Sequence, residues 1–377
     1  MQSPSPTTAT PLPYPTLRQL IAQGKPLHGQ RVLLRVDYNL TAADLESPLP
    51  DYRLTSTLPT IKLLIEHGAR VAILSHRGRP QGRVSPQQSL APVAEKLTKL
   101  LNHPVNFTPE CIGRAAESAI NQLQPRQVTL LENTRFHIGE QLNQREFTHQ
   151  LAQLADVFVN DAFATAHRAH ASTSGLAAIM PTSVIGLLME RELLWLRRLT
   201  ENTARPLTLI LSGRNVGTKL ERLGPLLTKI DTLIVGGPVA HTFLAGRDMA
   251  LGQSVIDHTY LETSRDLLAE AGVVGCRVHL PKDAVIAQKS SPETPYGTRD
   301  IYSIQNNEVV MDIGPETLQQ WLGFIEKSGT VVWLGSLGAY EYPAYQAASK
   351  QLAQAMLDHP GFCLLGGNGL INLLNQT

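Results

Sequence analysis

The sequence predicts an α/β protein of two lobes, each built on a doubly wound parallel sheet, with one long helix joining them. Short apolar runs alternate with longer segments whose apolar residues recur about every 3.6 positions, which is typical of alternating strands and helices. The alternation occurs twice along the 377 residues, before and after a leucine-rich stretch. A chain of this length also suffices for about two domains of ordinary size.

The first series follows a segment rich in proline, serine and threonine, which we interpret as a flexible leader over 1–15. Four runs then have the length and composition of buried parallel strands: RVLLRVDY (31–38), RVAILSH (70–76), QVTLLEN (127–133) and VFVND (157–161). Between these runs, 53–67 and 91–102 have helical spacing. The first lobe is therefore predicted over 16–183.

The leucine-dense stretch VIGLLMERELLWLRRL (184–199) has no turn residue after Gly186. It predicts an interdomain helix over 184–200, although another core helix would have the same pattern. The second lobe is predicted over 201–377, where five more runs read as strands: LTLILSG (207–213), TLIVGG (232–237), RVHLP (277–281), TVVWLG (330–335) and FCLLGG (362–367).

Composition excludes several classes of function. The formal net charge of +1 gives no overall attraction to nucleic acid or to an anionic membrane. The three cysteines are far apart and lack CxxC spacing, which argues against a disulfide framework or a zinc site and favours a reducing, cytoplasmic compartment. The first 15 residues lack the basic start and apolar core of a signal peptide, and no apolar run is long enough to span a bilayer.

Polar side chains follow the four predicted strands of the first series. Because parallel strands present their carboxyl ends at one edge of the sheet, these side chains should converge on a ligand. They are Asp37, Asn39, His76, Arg79, Arg135, His167, Arg168 and His170, with Arg53 at the start of the first helix. Arginine donors match carboxylate and phosphate, and carboxylate and amide groups bind hydroxyls, so the set predicts a small phosphorylated hydroxy acid.

Each of these residues also has a simpler interpretation. A single strand-end arginine is usually a surface ion pair, and the HRAH stretch (167–170) lacks the further ligands of a metal site. In the second half, LTLILSGRNVGTK (207–219) has the strand–turn–helix layout of a phosphate-binding loop, with Lys219 at its far end. It has three residues between Gly213 and Gly217 where a P-loop has four, which argues against a P-loop NTPase.

Taken together, these segments resemble the phosphoglycerate kinase family. The resemblance runs in order through RVDYN, DYRLTSTLPTIKLLIEHGARVAILSHRGRP, LLENTRFHIGE and FVNDAFATAHRAHASTSG, and continues through LTLILSGRNVGTK, KIDTLIVGGPVAHTFL, VVMDIGPET and TVVWLGSLGAYEYPAY. It covers nearly the whole chain after the leader. It implies two Rossmann-like lobes, an N-lobe that binds 3-phosphoglycerate, a C-lobe that binds ATP or ADP with Mg²⁺, and a cytoplasmic monomer.

The resemblance also assigns residues to each site. The 3-phosphoglycerate site falls on Asp37, Asn39, Arg53, His76, Arg79, Arg135, His167 and Arg168. The nucleotide site falls on Gly213, Arg214, Asn215, Lys219, Gly236, Gly237, Gly335, Glu341, Gly367 and Asn368. Arg53 and Lys219 are the catalytic residues, Glu341 takes the ribose-binding place, and Asn368 stands where the family has its metal-binding aspartate.

The acceptor site has the family's residue types, but the nucleotide site departs from them. Asn215 replaces the lysine that follows the transferred phosphoryl group, Leu334 replaces a strand-end asparagine, and Asn368 replaces the aspartate. The chain also ends at Thr377, before the family's last glycine-rich loop and returning helix. Loss of one transition-state donor typically costs about 3–4 kcal/mol, or about 10²–10³ in rate.

Three functions therefore follow. The first is a slow phosphoglycerate kinase. The second is a catalytically inactive paralogue that binds 3-phosphoglycerate as a sensor or regulatory protein. The third is a phosphotransferase that uses the same acceptor site with another substrate.

Overall fold

Two parallel β-sheets form the framework, and each lies within its own unit of the chain. The computed structural model describes residues 12–47, 51–201, 203–289, 291–367, 370–371 and 374. The chain divides into a first unit, residues 1–197, and a second unit, residues 198–377. Across the described ranges, none of the helices has the length and apolar character needed to span a bilayer.

Within the described ranges, the first unit contains six strands, ten helices and most of an eleventh. The strands are β1 (Arg31–Arg35), β2 (Arg70–Leu74), β3 (Val105–Thr108), β4 (Val128–Leu131), β5 (Val157–Asn160) and β6 (Ser183–Ile185). The helices are α1 (Leu17–Ala22), α2 (Ala42–Glu46), α3 (Tyr52–Thr55), α4 (Leu58–Glu66), α5 (Ala91–Leu101), α6 (Gly113–Gln122), α7 (Ile138–Gln141), α8 (Arg145–Ala152), α9 (Phe163–Ala166), α10 (Leu176–Ile179) and α11 (Leu187–Glu201). Helix α11 contains the boundary between the units.

The first sheet has the strand order β3-β4-β2-β1-β5-β6, and all its pairings are parallel. Successive residues of β1 enter different hydrophobic clusters: Val32 and Leu34 belong to one, and Leu33 to another. Because successive side chains of a strand point to opposite faces, both faces of this sheet are covered. That is why its strands appear in the sequence as continuous apolar runs.

The second unit repeats this plan and adds an antiparallel sheet. Its strands are β7 (Leu207–Leu211), β8 (Thr232–Val235), β9 (Arg277–His279), β10 (Asp283–Gln288), β11 (Ser291–Asp300), β12 (Glu308–Ile313), β13 (Thr330–Leu334) and β14 (Phe362–Gly366). Its helices are α12 (Val216–Leu227), α13 (Gly237–Gly246), α14 (Leu261–Val274), α15 (Pro315–Glu326) and α16 (Ala347–Asp358). The parallel order is β14-β13-β7-β8-β9, and β11-β10-β12 is antiparallel.

Both faces of the second parallel sheet are also covered. Leu209 and Leu211 of β7 pack in one hydrophobic cluster, whereas Ile210 packs in another. The predicted fold class, α/β with doubly wound parallel sheets, is therefore confirmed.

Two local predictions were wrong, and one sheet was missed. The helix predicted over 53–67 is two helices, because Pro59 at the second position of α4 has no N–H to donate back into α3. The helix predicted from 184 begins only at Leu187, because 183–185 pairs with β5 as strand β6. The antiparallel sheet was not predicted, since β11 (SPETPYGTRD) has two prolines and no apolar alternation.

The predicted leader falls mostly outside the described residues, which begin at 12. Its last residue, however, contacts the first sheet. The backbone N–H of Ile185 donates to the carbonyl of Pro15 at 3.0 Å, and Thr16 forms a parallel bridge with Ile185. The leader prediction over 1–15 is thus wrong at Pro15, which is tied to the edge strand β6.

Candidate active site

In the first unit, the polar residues follow four strands that are neighbours in the sheet. Asp37 follows β1, His76 follows β2, Arg135 follows β4 and Arg168 follows β5. The sheet order places these strands as β4-β2-β1-β5. Their carboxyl ends therefore present the four side chains along one edge, where ligands of parallel sheets bind.

Arg135 is the most unusual of these side chains. It is only 3% exposed, and its Nη1 donates to the carbonyl oxygen of Gly78 at 2.8 Å. Its Nε and Nη2 are buried and have no hydrogen-bond partner within the described residues. Burial, together with the nearby cations Arg168 and Arg35, lowers the pKa of Arg135 to about 10. Buried donors of a charged group are normally satisfied, so this geometry favours an anionic ligand at Arg135.

His76 is buried beside Arg135 and is neutral. Burial lowers its pKa far below the usual range, and the surrounding cations, Arg35 first among them, lower it further. Its Nδ1 lies 3.2 Å from Nη2 of Arg35, which can only donate, so Nδ1 accepts and the proton is on Nε2. The 3.9 Å approach of Nδ1 to Asp37 is therefore not a salt bridge. His76 can offer one N–H donor to a ligand.

Arg53 and Asn39 are joined through the backbone. Nη1 of Arg53 donates to the carbonyl of Asn39, and Oδ1 of Asn39 accepts from the N–H of Gly78 at 2.7 Å. Gly78 also accepts from Arg135, so it connects the loops after β1, β2 and β4. Asn39 keeps its amide N–H groups available to a ligand, because only its oxygen is used here.

Three basic residues of the predicted site in the first unit are exposed. Arg79, His167 and Arg168 make no side-chain hydrogen bond or ion pair with any residue that the structure describes. Arg168 is nevertheless close enough to lower the pKa values of both His76 and Arg135. The site therefore combines a buried guanidinium that has two donors without partners with exposed arginines at its edge, which suits a ligand with more than one anionic group.

In the second unit, a cavity of about 510 Å³ opens at the carboxyl ends of neighbouring strands. It is bordered by glycines that follow β7, β8, β13 and β14: Gly213, Gly237, Gly335 and Gly367. Apolar side chains line another part of it, among them Val255, Ile301, Val309 and Met311. This volume lies within the range of about 300–1,000 Å³ that is usual for small-molecule sites.

Gly335 is required by the close approach of two of these loops. Its φ is +87°, and a Cβ there would lie 2.1 Å from the carbonyl oxygen of Ser212. Any other residue would separate the loops after β7 and β13, because L-residues are strained at this φ and the oxygen is backbone. The glycine keeps the backbone of both loops at the cavity wall.

Lys219 supplies the cavity with a positive charge. It is half-buried, burial lowers its pKa, and its Nζ donates to the carbonyl of Asn215 at 3.4 Å. Among the described residues it forms no ion pair with a carboxylate. A desolvated ammonium at the start of α12, whose N-terminus is also positive, favours an anion such as phosphate.

A family model described as phosphoglycerate kinase matches residues 23–377. The chain belongs to the phosphoglycerate kinase family. A curated phosphoglycerate kinase of Moorella thermoacetica is 39% identical to it over 341 residues, which cover 90% of this chain and 86% of that protein. The phosphoglycerate kinase of Azorhizobium caulinodans is 41% identical to it over 367 residues, which cover 96% of this chain and 91% of that protein.

Solved structures of the family show the same fold. Phosphoglycerate kinase from Coxiella burnetii aligns with a TM-score of 0.77 and 35% identity, over 97% of this chain and 90% of that chain. Phosphoglycerate kinase from Pyrococcus horikoshii OT3 aligns with a TM-score of 0.84 and 29% identity, over 94% of this chain and 90% of that chain. The predicted family and the predicted class, a phosphotransferase, are confirmed.

The turn between β7 and α12 contains Arg214 and Asn215, two of the residues that the resemblance assigns to the nucleotide site. Asn215 is exposed, stands at the N-cap of α12, and makes no side-chain capping bond. Arg214 points to the other side of the cavity, where its Nη2 lies 2.9 Å from Oε1 of Glu341. Leu334 packs against an apolar cluster of the unit rather than presenting a polar group. Asn368 lies outside the described residues.

The sequence did not identify the buried network next to His76 and Arg135. Arg35, 1% exposed, donates from Nε to Ser172 Oγ at 2.8 Å, and Ser172 Oγ donates to Glu140 Oε1 at 2.6 Å. Glu140 is fully buried and also accepts the Ser172 N–H at 2.9 Å. This network fixes Arg35 against His76. The one signal for it in the sequence is an arginine inside the apolar run RVLLRV.

A second polar cluster lies elsewhere in the first unit. Glu110, Cys111 and His137 bring potential ligand atoms within 4.8 Å of one another. Glu110 Oε1 already accepts from His137 Nε2 at 2.7 Å and from the Cys111 N–H at 2.7 Å. These bonds satisfy the cluster without an ion.

Proposed function

We propose that this protein transfers a phosphoryl group between ATP and the carboxylate of 3-phosphoglycerate, as a slow phosphoglycerate kinase. The observation that carries the proposal is Arg135, a buried guanidinium whose Nε and Nη2 lack partners in the described chain, beside a neutral histidine. Family membership supplies the reaction, and the two polar sites, one in each unit, have the chemistry that its two substrates require.

The first unit binds the acceptor. Arg135 and Arg168 bind its anionic groups, and the Nε2–H of His76 donates to an oxygen of the same ligand. Asp37 and Asn39, next to the loop at Gly78, bind its hydroxyl group. Arg53, held on the carbonyl of Asn39, orients the acceptor carboxylate.

No side-chain base is needed for the transfer. The acceptor carboxylate is already ionised near neutral pH, so one of its oxygens forms the new bond to the γ-phosphorus while the bond from phosphorus to the ADP oxygen breaks. The protein acts mainly by positioning and by stabilising charge on the transferring oxygens. In the second unit, Lys219 is the side chain that stabilises this charge.

Magnesium accompanies the nucleotide in this reaction and neutralises part of the phosphate charge. The residue assigned to it, Asn368, is neutral, and an amide oxygen is a weaker ligand for this hard cation than a carboxylate. Asn215 likewise offers a hydrogen bond without charge. Each change alone reduces transition-state stabilisation, and the two act on one cooperative unit, so their costs are not additive.

Binding and turnover together test the proposal. We expect 3-phosphoglycerate and Mg-ATP each to raise the melting temperature, and an Arg135→Met variant to lose the response to 3-phosphoglycerate while keeping the response to Mg-ATP. Arg83→Met, an exposed arginine of the neighbouring loop, is the matched control and should keep both.

Turnover in a coupled assay for ADP should require both ligands and disappear in Arg135→Met. A response to 3-phosphoglycerate without any turnover would instead identify the inactive, regulatory paralogue. No response to either ligand would overturn both functions.

A further inference from the structure

The second unit contains an ion pair across the opening of its cavity. Arg214 extends from the loop after β7, and its Nη2 lies 2.9 Å from Oε1 of Glu341, which lies beyond β13. Both side chains line the cavity, and they are 78% and 40% exposed. We propose that Arg214 exchanges Glu341 for the phosphate groups of a nucleotide when one binds, and thereby makes the site prefer phosphorylated over unphosphorylated nucleosides.

Glu341 is the group for which two partners compete. Among the described residues that line the cavity it is the exposed carboxylate, since Asp312 is 5% exposed and accepts from the Ile313 N–H. An ionised carboxylate accepts hydrogen bonds from neighbouring hydroxyl groups, as a ribose presents them. Arg214 and the hydroxyl groups of a nucleoside therefore compete for the carboxylate of Glu341.

A second binding site for the Arg214 guanidinium lies close to its own backbone. It immediately precedes Asn215, the N-cap of α12, and Lys219 lies folded against the same turn. Polyphosphate bound at this helix terminus would attract a guanidinium, which binds phosphate oxygens in bidentate geometry. Asn215 brings no charge of its own, so Arg214 and Lys219 are the cations at this turn.

The exchange has a low cost because the ion pair is exposed. Exposed pairs stabilise proteins little, so breaking this one opposes binding only weakly. The new contact to a highly charged phosphate chain is stronger, because it is charge-assisted and lies beside Lys219. This inference rests on the proposed function, in which the cavity binds ATP or ADP.

Removal of the Arg214 side chain should change the affinities for adenosine and for ATP in opposite directions. Without Arg214, Glu341 is free for hydroxyl groups, so adenosine should bind about two- to fivefold more tightly, the range expected for loss of one exposed ion pair. ATP also gains hydrogen bonds to Glu341 in this variant, but its phosphates lose the charge-assisted contact with Arg214. ATP should therefore bind about tenfold more weakly.

Calorimetric titration of the full chain with adenosine and with Mg-ATP tests this exchange. The variants are Arg214→Ala and, as matched control, Arg222→Ala, an exposed arginine on α12 outside the cavity lining. Arg222→Ala should leave both affinities unchanged. In a Glu341→Gln background, Arg214→Ala should no longer tighten adenosine binding, because the competition has been removed.

The results separate this inference from the function on which it rests. If wild-type protein binds ATP and adenosine and Arg214→Ala weakens both, or changes neither, the exchange is wrong and nucleotide binding stands. If wild-type protein binds neither ligand, the nucleotide function and the exchange are both overturned.

Discussion

Replacement of Asn215 by lysine should accelerate the reaction more than any other single change in the second unit. Asn215 is exposed, has φ −79° and ψ 73°, and makes no side-chain capping bond, so its side chain can be changed without loss of packing. A lysine here would bring a second ammonium to the turn that Lys219 already contacts through the Asn215 carbonyl at 3.4 Å.

The expected gain and cost differ clearly in size. A positive charge that meets developing charge on the transferring phosphoryl group is worth about 3–4 kcal/mol, or about 10²–10³ in kcat. A cation at the N-terminus of α12 is unfavourable by about 0.3–1 kcal/mol, so the variant should be slightly less stable. The gain should appear in kcat rather than in KM, because the interaction strengthens in the transition state.

A coupled assay for ADP production at saturating substrates measures this effect. Asn215→Met is the control, since it provides comparable length without charge and should leave kcat near the wild-type value. The expected increase in kcat is about a hundredfold or more. An Asn215→Lys variant that binds both substrates but raises kcat less than about threefold would contradict this prediction. An equal increase of kcat in Asn215→Met would also contradict it.

Three further predictions concern buried or half-buried charges. Lys219→Met should weaken Mg-ATP about tenfold or more by titration calorimetry and leave 3-phosphoglycerate unaffected, since this ammonium has no carboxylate partner in the described structure; equal weakening of both ligands would contradict this. Glu140→Ala should lower the free energy of unfolding in urea by about 3–5 kcal/mol, because it removes the buried carboxylate that is linked to the buried Arg35 through Ser172; a loss below about 1 kcal/mol would show that the network is not stabilising. Burial raises the pKa of Asp161 from 3.8 to about 6, although Thr60 and Met189 donate hydrogen bonds to its carboxylate. The contribution of this residue to the free energy of unfolding is therefore complete below about pH 4, where the carboxyl is protonated, and is lost as pH rises through 6. Relative to Asp161→Asn, wild-type protein should lose about 3 kcal/mol between pH 4 and 6, and parallel curves for the two proteins would refute this.

The sequence predicted the parallel sheets, and the polar side chains at one edge of the first sheet, for the same physical reason. Strands covered on both faces produce continuous apolar runs, and parallel strands end at one edge, so the residues that follow them converge. Asp37, His76 and Arg135 were found in this way. The segment SHRGRP contains two arginines in different environments.

Arg77 is 7% exposed and donates to the carbonyls of Leu40 and Ser89, whereas Arg79 is exposed. Spacing alone does not distinguish a structural arginine from a binding one, because the difference lies in loops distant in sequence.

Long-range partnerships could not be predicted from the sequence. Arg35 and Ser172 are separated by 137 positions, and their contact depends on the loops that meet behind β1. The pairing of Arg214 with Glu341 depends in the same way on the neighbouring positions of β7 and β13 in the sheet. The resemblance predicts Arg214 as a nucleotide-site residue, but no feature of the sequence indicates that Glu341 is its partner.

The central claim is that this chain is a working but slow phosphoglycerate kinase. Its most direct test is kcat for ADP formation from Mg-ATP and 3-phosphoglycerate, measured side by side with the Moorella thermoacetica relative under identical conditions. We predict turnover that requires both substrates and is about 10²–10³ lower than that of the relative. A kcat equal to that of the relative, or no turnover above the Arg135→Met variant, would contradict the claim.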